Sequence, residues 1–460
     1  MTLAPERPLT LDPELTPLVP HDVSPTEPHH EGARHATAHH HDGSSRIRVT
    51  SEEPRAQRPA YKQSGRPNPA AHLTPAQIEE IGRELDAIQR EVMDSRGAKD
   101  AAYIRRIIKT QRFLELGSRA VLLFSGVKVK GIRPAWWLGT AGLGLAKILE
   151  NMEIGHNVLH GQWDWMRDPK IHSTRWEWDF VSPAKEWQHS HNQVHHTYTN
   201  VLGRDNDLGY GILRVDPDQR WSLFFLFQPI WHVGNALMFE YSIAAYDLEL
   251  GGYLAERKQM SEADKAAFKA RAADTVAKIK SQARKDYLVH PLMSLPFGGP
   301  SNAMHTLTAN LVANLMRNVW ANTVIICGHF PQGIDTFDDL DIDTETRGEW
   351  YLRQMLGSGN ITGSPLMHIM TGNLSHQIEH HLWPDMPSNR YAEVAPKVRA
   401  LMERYDLPYT AGPLLKQAAS VYKKVLDLSL PNKEPGRRRR DVLKEAVKKA
   451  WRTRSLDRFA

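Results

Sequence analysis

The sequence predicts an all-α protein in which about four membrane-spanning helices, paired as two hairpins, support a helical cap that holds a histidine-rich site. Three observations predict this fold class. Apolar residues are concentrated in a few stretches of near-membrane length, a long amphipathic helical pattern precedes those stretches, and many histidines lie four or five residues apart. We place the folded part at residues 73–430, between two polar tails.

Both ends of the chain are predicted to lie outside the folded part. Residues 1–72 are rich in Pro, His, Glu and Arg and contain almost no large apolar residues, so we predict that they are disordered. Residues 431–460 form a basic tail, with eleven Lys and Arg against four acidic residues from position 433 onward. Such a run is either a solvated tail or a helix on anionic lipid. No nucleic-acid recognition motif accompanies it, so we expect no nucleic-acid partner.

A single cysteine in 460 residues limits the chemistry of the chain. Cys327 alone supports no disulfide framework, no iron–sulfur cluster and no redox-active cysteine pair. The N-terminal segment lacks the apolar core and the cleavage site of a secretory signal, so we expect no export. The functional residues are therefore predicted to face a reducing compartment.

The first ordered helix is predicted to begin at LTPAQIEEIGRELDAI. Thr74 is a suitable N-cap, Pro75 suits the first helical position, and Gln77 completes a capping-box pattern. The amphipathic pattern that follows predicts a long helical region up to about residue 115.

Four apolar stretches follow the amphipathic region. A helical membrane span needs about 20 mostly apolar residues, and only the last three stretches approach that length. Each of those three contains Gly, Pro, Asn or Arg, so buried helices of a soluble bundle are the alternative interpretation. The stretches are 117–128, 134–152, 221–247 and 303–330.

The order of the stretches predicts two hairpins. Residues 117–152 form the first. The second combines 303–330 with either 221–247 or 286–300. If it uses 286–300, Pro229 makes 221–247 an interfacial element. Both routes return the chain to the same side of the membrane, and the sequence does not choose between them.

Three segments carry the histidines that point to a metal site: EIGHNVLH, WQHSHNQVHHTYTN and NLSHQIEHHLWP. Residues four apart on a helix share a face, so each segment presents paired ring nitrogens. Eight imidazoles can hold two metal ions, and their apolar neighbours favour iron and O2 chemistry on a lipid-like substrate over zinc. The eight are His156, His160, His191, His195, His196, His376, His380 and His381.

These segments resemble the three histidine boxes of the membrane fatty-acid desaturase superfamily, in its linoleoyl-CoA-desaturase-like branch. HNVLH, HNQVHHTYTN and HQIEHHLWP carry the resemblance, and ENMEIGHNVLHGQWDWM, WEWD, GYGILRV, RNVWANTVIICGHFPQG, WYLRQMLGS and DMPSNR extend it over about residues 75–430. Three boxes in this order are specific for the superfamily. They are not specific for the reaction, because hydroxylases of the same design share them.

The resemblance implies that His156, His160, His191, His195, His196, His380 and His381 bind two irons on the cytosolic side and are essential for catalysis, with His376 as the eighth candidate. The family often has Gln at the first position of the third box, so either His376 or Gln377 fills that place. A further histidine follows the last apolar helix in the family, and His329 matches it, so the resemblance makes His329 an additional candidate metal ligand. His172, His189, His232, His290, His305 and His368 match no box and are predicted to have other roles.

Polar residues beside the boxes are predicted to support the ligands. Metal-bound imidazoles usually donate their second N–H to a carboxylate or a carbonyl. We assign this supporting role to Glu153 and Glu379, with Asp164, Asp205 and Asp207 as further candidates. Asn360 either holds a water near an iron or caps a helix.

The implied reaction is the O2-dependent desaturation of a long-chain fatty acyl-CoA, with stearoyl-CoA converted to oleoyl-CoA at the delta-9 position. The chain contains no flavin or haem motif, so two electrons must come from outside. The resemblance implies a separate NADPH oxidoreductase with flavin and a 2Fe-2S centre. It also implies a multi-pass protein of the cell membrane whose active site faces the cytoplasm.

Two alternatives remain at this stage: a fatty-acyl hydroxylase of the same superfamily, and a non-enzymatic membrane protein that binds metal. Trp163, Trp165, Trp176 and Trp178 either line the mouth of an acyl slot or lie at the bilayer interface. Arg175, Lys185 and Arg204 are candidates for contacts with the phosphates of coenzyme A.

Overall fold

The computed structural model describes residues 67–205, 207–339 and 342–453. Most of the predicted tail at 1–72 lies outside these ranges. Its last residues, 67–72, form a turn in which Ala70 is buried, and the His72 ring nitrogen Nε2 lies 2.8 Å from the carbonyl oxygen of Tyr405. The packed chain therefore begins before the predicted start at 73.

The described chain is mostly helical, as predicted. Its first nine helices are α1 (Pro75–Asp94), α2 (Ala98–Leu122), α3 (Pro134–Leu149), α4 (Asn157–Leu159), α5 (Ala184–Trp187), α6 (His196–Tyr198), α7 (Gln228–Leu237), α8 (Phe239–Asp247) and α9 (Leu250–Glu256). The next eight are α10 (Glu262–Arg284), α11 (His290–His329), α12 (Arg347–Leu356), α13 (Pro365–Met370), α14 (Gln377–Leu382), α15 (Tyr391–Arg404), α16 (Leu414–Leu428) and α17 (Arg439–Thr453).

Helix α1 begins as the sequence predicts. The Thr74 hydroxyl accepts a hydrogen bond from the backbone N–H of Gln77, and the Gln77 side chain accepts one from the backbone N–H of Thr74. This capping box satisfies backbone donors that have no partner inside the helix. The predicted single helical region is two helices, because the chain breaks at Ser95–Gly97 between α1 and α2.

Helices α2 and α3 form the first predicted hairpin and pack against each other along their length. The close approach depends on glycines, since a Cβ atom at Gly139 would lie 2.6 Å from the Leu122 side chain. Between the helices, Val129 and Ile132 form an isolated antiparallel bridge.

The second hairpin follows the route through 286–300. Helix α11 breaks at Gly298 and Gly299, and Gly299 has a positive φ of 66°. After the break the chain returns along itself, so that the Asn310 side chain donates to the Asp286 carbonyl oxygen. The stretch 221–247 instead forms a 3-10 turn and two short helices, α7 and α8, that meet at Met238.

None of the helices within the described ranges combines the length and the apolarity of a membrane span. This differs from the four spans expected from the sequence. The physical reason is visible in the helices themselves: α3 contains Lys147, and α11 contains Asn310, Asn314 and Arg317, all of which are buried.

The C-terminal part forms a cap over the histidine segments. Helices α12, α14 and α15 pack with α1 around a core that includes Leu85, Tyr351 and Val398. Two three-residue strands, β1 (Asn360–Thr362) and β2 (Ala411–Pro413), pair in parallel, with Asn360 opposite Ala411. The predicted basic tail at 431–460 contains α17, whose Val442 is buried while most of its Lys and Arg side chains are exposed.

Candidate metal centre

The first two histidine segments lie on π-helical turns. Helix α3 continues through a π-helical stretch, Glu150–His156, into α4, and α5 continues through a second one, Gln188–His195, into α6. The sequence predicts ordinary α-helices at both places. A π-helical turn contains one residue more than an α-helical turn and often occurs at functional sites. The third segment lies on the short α-helix α14.

The structure brings the histidines together in two groups. In the first group, His156, His160, His191 and His380 present ring nitrogens that all lie within 4.8 Å of one another. In the second group, His195, His329 and His381 do the same.

His196 lies between the two groups. Its ring stacks on that of His381, with 4.5 Å between the ring centroids, and its centroid is 4.8 Å from that of His160. Both of its ring nitrogens are buried without a hydrogen-bond partner. All three segments and the end of α11 therefore contribute to one centre.

The hydrogen bonds of these rings fit metal binding. The Nδ1 atoms have partners: His195 pairs with Asp205 at 3.0 Å, His191 with Asp207 at 3.2 Å and His380 with the Tyr391 hydroxyl at 3.2 Å. The Nε2 atoms of the same three histidines are buried and have no hydrogen-bond partner among the described residues. Unpaired buried nitrogens are costly, and an Nδ1–H fixed by an acceptor is the usual arrangement of a metal-bound imidazole.

His381 and His329 complete the second group. The Nδ1 atom of His381 lies 3.2 Å from the Gln354 oxygen and 3.2 Å from the Thr199 hydroxyl, and its Nε2 lies 3.3 Å from Nε2 of His329. Two facing Nε2 atoms at that distance can share one ion. The donor set, seven grouped histidines with His196 between them, thus fits two metal ions with imidazole ligands.

Burial keeps most of these rings neutral, which is the form that binds metal. Desolvation lowers the pKa of His156 to about 4. Desolvation and neighbouring imidazoles hold the pKa values of His160, His191, His196, His380 and His381 well below the usual range. His195 is the exception: burial acts to lower its pKa, but the carboxylates of Asp205 and Asp207 outweigh burial and raise it to about 9.

The structure does not bring His376 into either group. His376 immediately precedes α14, its ring stacks on that of His368 at 4.6 Å, and its Nδ1 lies 4.0 Å from the Glu379 carboxylate. Gln377 instead points at the centre, because its side-chain nitrogen lies 3.0 Å from Nε2 of His329. Of the two residues that the sequence left open for this position, the geometry favours Gln377.

Glu153 and Glu379 have contacts other than the predicted ones. Glu153 accepts hydrogen bonds from the Tyr103 hydroxyl at 2.8 Å, the Ser388 hydroxyl at 2.7 Å and the Asn373 amide at 2.9 Å. None of these is an imidazole, because the backbone at Glu153 directs the carboxyl toward α2 and the cap. Burial raises the pKa of Glu153 to about 8.

Glu379 is held by the Asn360 amide at 2.8 Å and by the Tyr409 hydroxyl at 3.0 Å, and burial raises its pKa to about 7. The side-chain oxygen of Asn360 accepts the backbone N–H of Ile378 at 2.9 Å. Asn360 therefore caps the start of α14, which is the second of its two predicted roles.

Among the aspartates, Asp205 and Asp207 contact imidazoles as predicted, whereas Asp164 does not contact a box histidine. The Asp164 carboxylate accepts from the Ser173 backbone N–H at 2.8 Å. Tyr391, Gln354 and Thr199 were missed by the sequence interpretation. Tyr391 lies in α15, 11 residues after His380, and Gln354 lies in α12, 27 residues before His381, and no spacing pattern links them to the histidines.

A cavity borders the centre and has mostly apolar walls. His156, His191 and His329 form part of its wall, and Asp207, Asp247 and Ser190 add polar groups. The remaining lining residues are Asn151, Met152, Trp178, Phe180, Trp187, Tyr210, Phe239, Ile243, Ile325, Leu374 and Gln377. Of the four tryptophans singled out in the sequence, only Trp178 lines this cavity, and Trp163 instead stacks on Tyr103.

The remaining predictions concern histidines and cations away from the centre. His172, His189, His232, His290, His305 and His368 lie outside both groups. Arg204 is engaged by Asp343 at 2.8 Å and Asp339 at 2.5 Å, so it is a poor candidate for contacts with coenzyme A phosphates. Arg175 and Lys185 are exposed.

Comparisons with known proteins agree with this geometry. Residues 134–413 match the family described as Fatty acid desaturase. The NADPH-dependent stearoyl-CoA 9-desaturase of Mycobacterium tuberculosis is 49% identical over 391 residues, which cover 85% of this chain and 87% of that protein. The sn-1 linoleoyl-lipid 6-desaturase of Synechocystis sp. is 26% identical over 313 residues, which cover 66% of this chain and 82% of that protein. The motifs quoted around the boxes resemble the mycobacterial protein in particular, and the high identity confirms that resemblance.

Proposed function

The chain belongs to the fatty acid desaturase family, and from this premise we propose that it converts long-chain fatty acyl-CoA to the cis-unsaturated product, with stearoyl-CoA giving oleoyl-CoA. The mycobacterial relative, whose name gives stearoyl-CoA as substrate and position 9 as the site of reaction, supports this choice of substrate. Membership of the family makes the chain an oxidoreductase.

One observation carries the proposal: histidines from segments more than 200 residues apart converge on one centre, and His156, His191 and His329 of that centre form part of the wall of an apolar cavity. A saturated acyl chain offers only unactivated C–H bonds, so its oxidation needs a strong oxidant held close to the substrate. An apolar cavity that ends on buried imidazoles provides that proximity.

We assign two irons to the two histidine groups. His156, His160, His191 and His380 would hold one iron, His195, His329 and His381 the other, and His196 lies within reach of both groups. When bound, the di-iron centre supplies the O2 chemistry that removes two hydrogens from adjacent methylenes.

The residues of this chain prepare the centre and the substrate. Asp205 and Asp207 accept from Nδ1 of His195 and His191, so that each Nε2 atom faces inward, and His195 releases its Nε2 proton when a metal binds. Trp178, Phe180 and Phe239 exclude water from the cavity and so keep the oxidant from side reactions.

The reaction requires a partner protein. Converting one O2 and the two removed hydrogens into two waters takes two electrons and two protons, and this chain contains neither a flavin motif nor a cysteine cluster. We propose a separate NADPH oxidoreductase with flavin and a 2Fe-2S centre as the electron donor. The dependence on NADPH in the name of the mycobacterial relative supports this assignment.

We also propose that both hairpins lie in the cell membrane, with the metal centre on the cytoplasmic side. Large apolar side chains are exposed on α2, α3 and α11, among them Leu116 (67%), Leu138 (70%) and Met304 (58%). Exposed apolar surface of this extent marks a region that contacts lipid or protein. Resistance to alkaline extraction from cell membranes would support the assignment, and recovery in the soluble fraction would contradict it.

Reconstitution tests the proposed reaction. The purified, iron-loaded protein is incubated with a flavin/2Fe-2S reductase, NADPH, O2 and stearoyl-CoA, and the products are analysed by mass spectrometry. We expect oleate, with a requirement for each component. Hydroxystearate in place of oleate would identify a hydroxylase, and a preparation that binds one zinc ion and no iron would contradict the di-iron assignment.

Paired variants link the reaction to the centre. His195→Ala and His380→Ala remove grouped ligands and should abolish turnover and lower the iron content. His189→Ala is the matched control, because His189 lies on the same π-helical turn as His191 but is exposed and outside both groups. Unchanged iron content in His195→Ala would contradict the assignment.

A further inference from the structure

A short loop supplies one wall of the cavity. Residues 176–182, here named the cavity loop, place Trp178 and Phe180 in the cavity wall, where both are buried. The Trp178 indole N–H donates to the carbonyl oxygen of Ser182 at 2.8 Å, which closes the loop on itself. The two aromatic rings touch, with centroids 4.8 Å apart.

The cavity loop is in contact with the metal centre through aromatic rings. Trp178 packs on Trp187 with 5.1 Å between ring centroids, and Trp187 stacks on His191 at 4.4 Å. The Trp187 ring is also 5.2 Å from that of His156. The position of the loop therefore fixes the position of this cavity wall relative to the centre.

Asp179, between the two cavity aromatics, attaches the loop to both hairpins. Its carboxylate pairs with Lys147 of α3 at 2.9 Å and with Lys285, which lies on the π-helical turn (Lys285–Val289) before α11. Its backbone N–H donates to Glu150 at 3.0 Å, and its carbonyl oxygen accepts from Arg317 of α11 at 3.1 Å. Asp179 is thus held by four residues of the two hairpins: Lys147, Glu150, Lys285 and Arg317.

The contact between Lys147 and Asp179 is strong because it is largely shielded from water, whereas the Lys285 side chain is 36% exposed. The Lys147 side chain is 2% exposed and the Asp179 side chain 17%. Burial acts to raise the pKa of Asp179, but Lys147 and Lys285 outweigh it and hold the pKa well below its usual range. A buried charge that loses its partner is costly, so the loop resists displacement from the hairpins.

We propose that Asp179 is a positioning residue that determines which carbon atoms of the acyl chain are oxidised, by clamping the cavity loop to both hairpins. The inference rests on the proposed desaturase function. Adjacent methylenes are chemically alike, so only the geometry of the cavity distinguishes them. A misplacement of about 1 Å can change a rate by about a hundredfold, so a loosened wall should allow reaction at neighbouring carbons.

The test compares Asp179→Asn, Lys285→Gln and a matched control. Lys285→Gln removes the contact between Lys285 and Asp179 and leaves the contact between Lys147 and Asp179. It therefore tests the inference even if Asp179→Asn does not fold. Lys265→Gln is the control, since within the described residues the ion pair of Lys265 is with its neighbour Glu262 in α10, away from the cavity loop. The readouts are double-bond position in the product, iron content, and amide hydrogen exchange of residues 176–182.

In both Asp179→Asn and Lys285→Gln we expect the share of product with a displaced double bond to rise about tenfold. The iron content should be unchanged, and amide hydrogen exchange in the cavity loop should be faster. The control should match the wild type in all three readouts. Faster exchange with an unchanged product distribution overturns the inference. If the wild-type protein forms no double bond at all while the variants still exchange faster, the proposed function fails, and the assignment of oxidation position fails with it.

Discussion

Asp205 and Asp207 determine which nitrogen of His195 and His191 is left to bind a metal. Each carboxylate accepts a hydrogen bond from the Nδ1–H of its histidine, so the Nε2 atom points to the centre and is the nitrogen left for a metal. Asp205 has a second role, because it also accepts the backbone N–H of Asn200 at 2.7 Å. The acidic pair therefore sets both the tautomer and the orientation of the second box.

Asp205→Asn should lower the affinity for iron about 10–100-fold, because the amide is a weaker acceptor for the His195 Nδ1–H than the carboxylate. The measurement is iron retained during titration with a chelator. Asp164→Asn is the control, since Asp164 contacts Ser173 rather than a box histidine. Equal iron retention in the two variants would contradict the assigned role of Asp205.

Asp247 should make stability depend on pH. Its carboxyl accepts from the hydroxyls of Ser182 and Ser190, and burial raises its pKa from 3.8 to about 7. Between these values the folded protein keeps a proton that the unfolded chain releases. The free energy of unfolding therefore falls as pH rises through that window, by at most about 1.4 kcal/mol per pH unit, and levels off above it.

Asp247→Asn removes this group, so the variant should gain thermal stability relative to the wild type as pH rises from 5 to 7. The measurement is the melting temperature of both proteins across pH 4–9. Parallel curves would contradict the raised pKa.

At this scale the sequence predicted which histidines lie together better than it predicted their hydrogen-bond partners. The box spacing predicted the grouped histidines, and Asp205 and Asp207 followed from their nearness to the second box. Whether His376 or Gln377 faces the centre depends on where α14 begins, and a shift of one residue exchanges the two. Tyr391, Gln354 and Thr199 contact the rings only through tertiary packing, which spacing does not reveal.

At the scale of elements, the π-helical turns are the main departure from the sequence prediction. A spacing of four or five residues fits an α-helix, so the pattern contains nothing that requires the wider turn. The structure uses the wider turn at both of the first two boxes, which brings His156 and His191 to within 5.4 Å between ring centroids. The direction of these side chains is thus a property of local backbone geometry that composition does not encode.

The break in α11 depends on a residue without a side chain. Gly299 has φ 66° and ψ −162°, a conformation that other residues adopt only at a cost of about 1–3 kcal/mol. Gly299→Ala should therefore lower the free energy of unfolding by about that amount, although no atom would lie within 4 Å of the new Cβ.

Gly252→Ala is the matched control for this prediction. Its Cβ would also meet nothing within 4 Å, but Gly252 lies inside α9 with ordinary helical geometry. Alanine should be neutral or stabilising there by up to about 1 kcal/mol. Equal melting temperatures for the two variants would show that the break in α11 imposes no backbone strain.

At the scale of the molecule, the metal centre connects parts of the chain that are distant in sequence. The grouped histidines come from α3–α4, α5–α6, the end of α11, and α14. A ligand that binds only the folded state stabilises it by about 2.7 kcal/mol at a free concentration 100 times its Kd. Iron loading should therefore raise the melting temperature, and a chelator should lower it.

His380→Ala provides the comparison for the chelator experiment, because it removes a ligand from the first group. Its melting temperature should respond much less to iron and to chelator than that of the wild type. Calorimetry of the full chain in detergent measures both effects. A wild-type melting temperature that is independent of iron would contradict the prediction that bound iron stabilises the fold by joining distant parts of the chain.

The overall arrangement was predictable only in part. The helical class, the first hairpin and the first helix start follow from apolar patterning and capping residues. The route of the second hairpin depends on contacts such as that of Asn310 with Asp286, between residues that sequence patterns do not pair. The buried polar residues of α3 and α11 belong to ion pairs and amide contacts between elements, which is why average hydropathy describes these helices poorly.

Helix α1 packs against α12 and α15, and the backbones of α1 and α12 approach so closely that a Cβ on Gly348 would lie 2.4 Å from the Ile78 carbonyl oxygen. During synthesis, more than 250 residues separate the completion of α1 from that of its first partner. At about 5–20 residues per second, this delay is roughly ten seconds to a minute. The apolar side of α1, with Ile78, Ile81 and Leu85, must be kept from aggregating for that time. Nascent chains stalled before residue 347 should therefore recruit chaperones at α1.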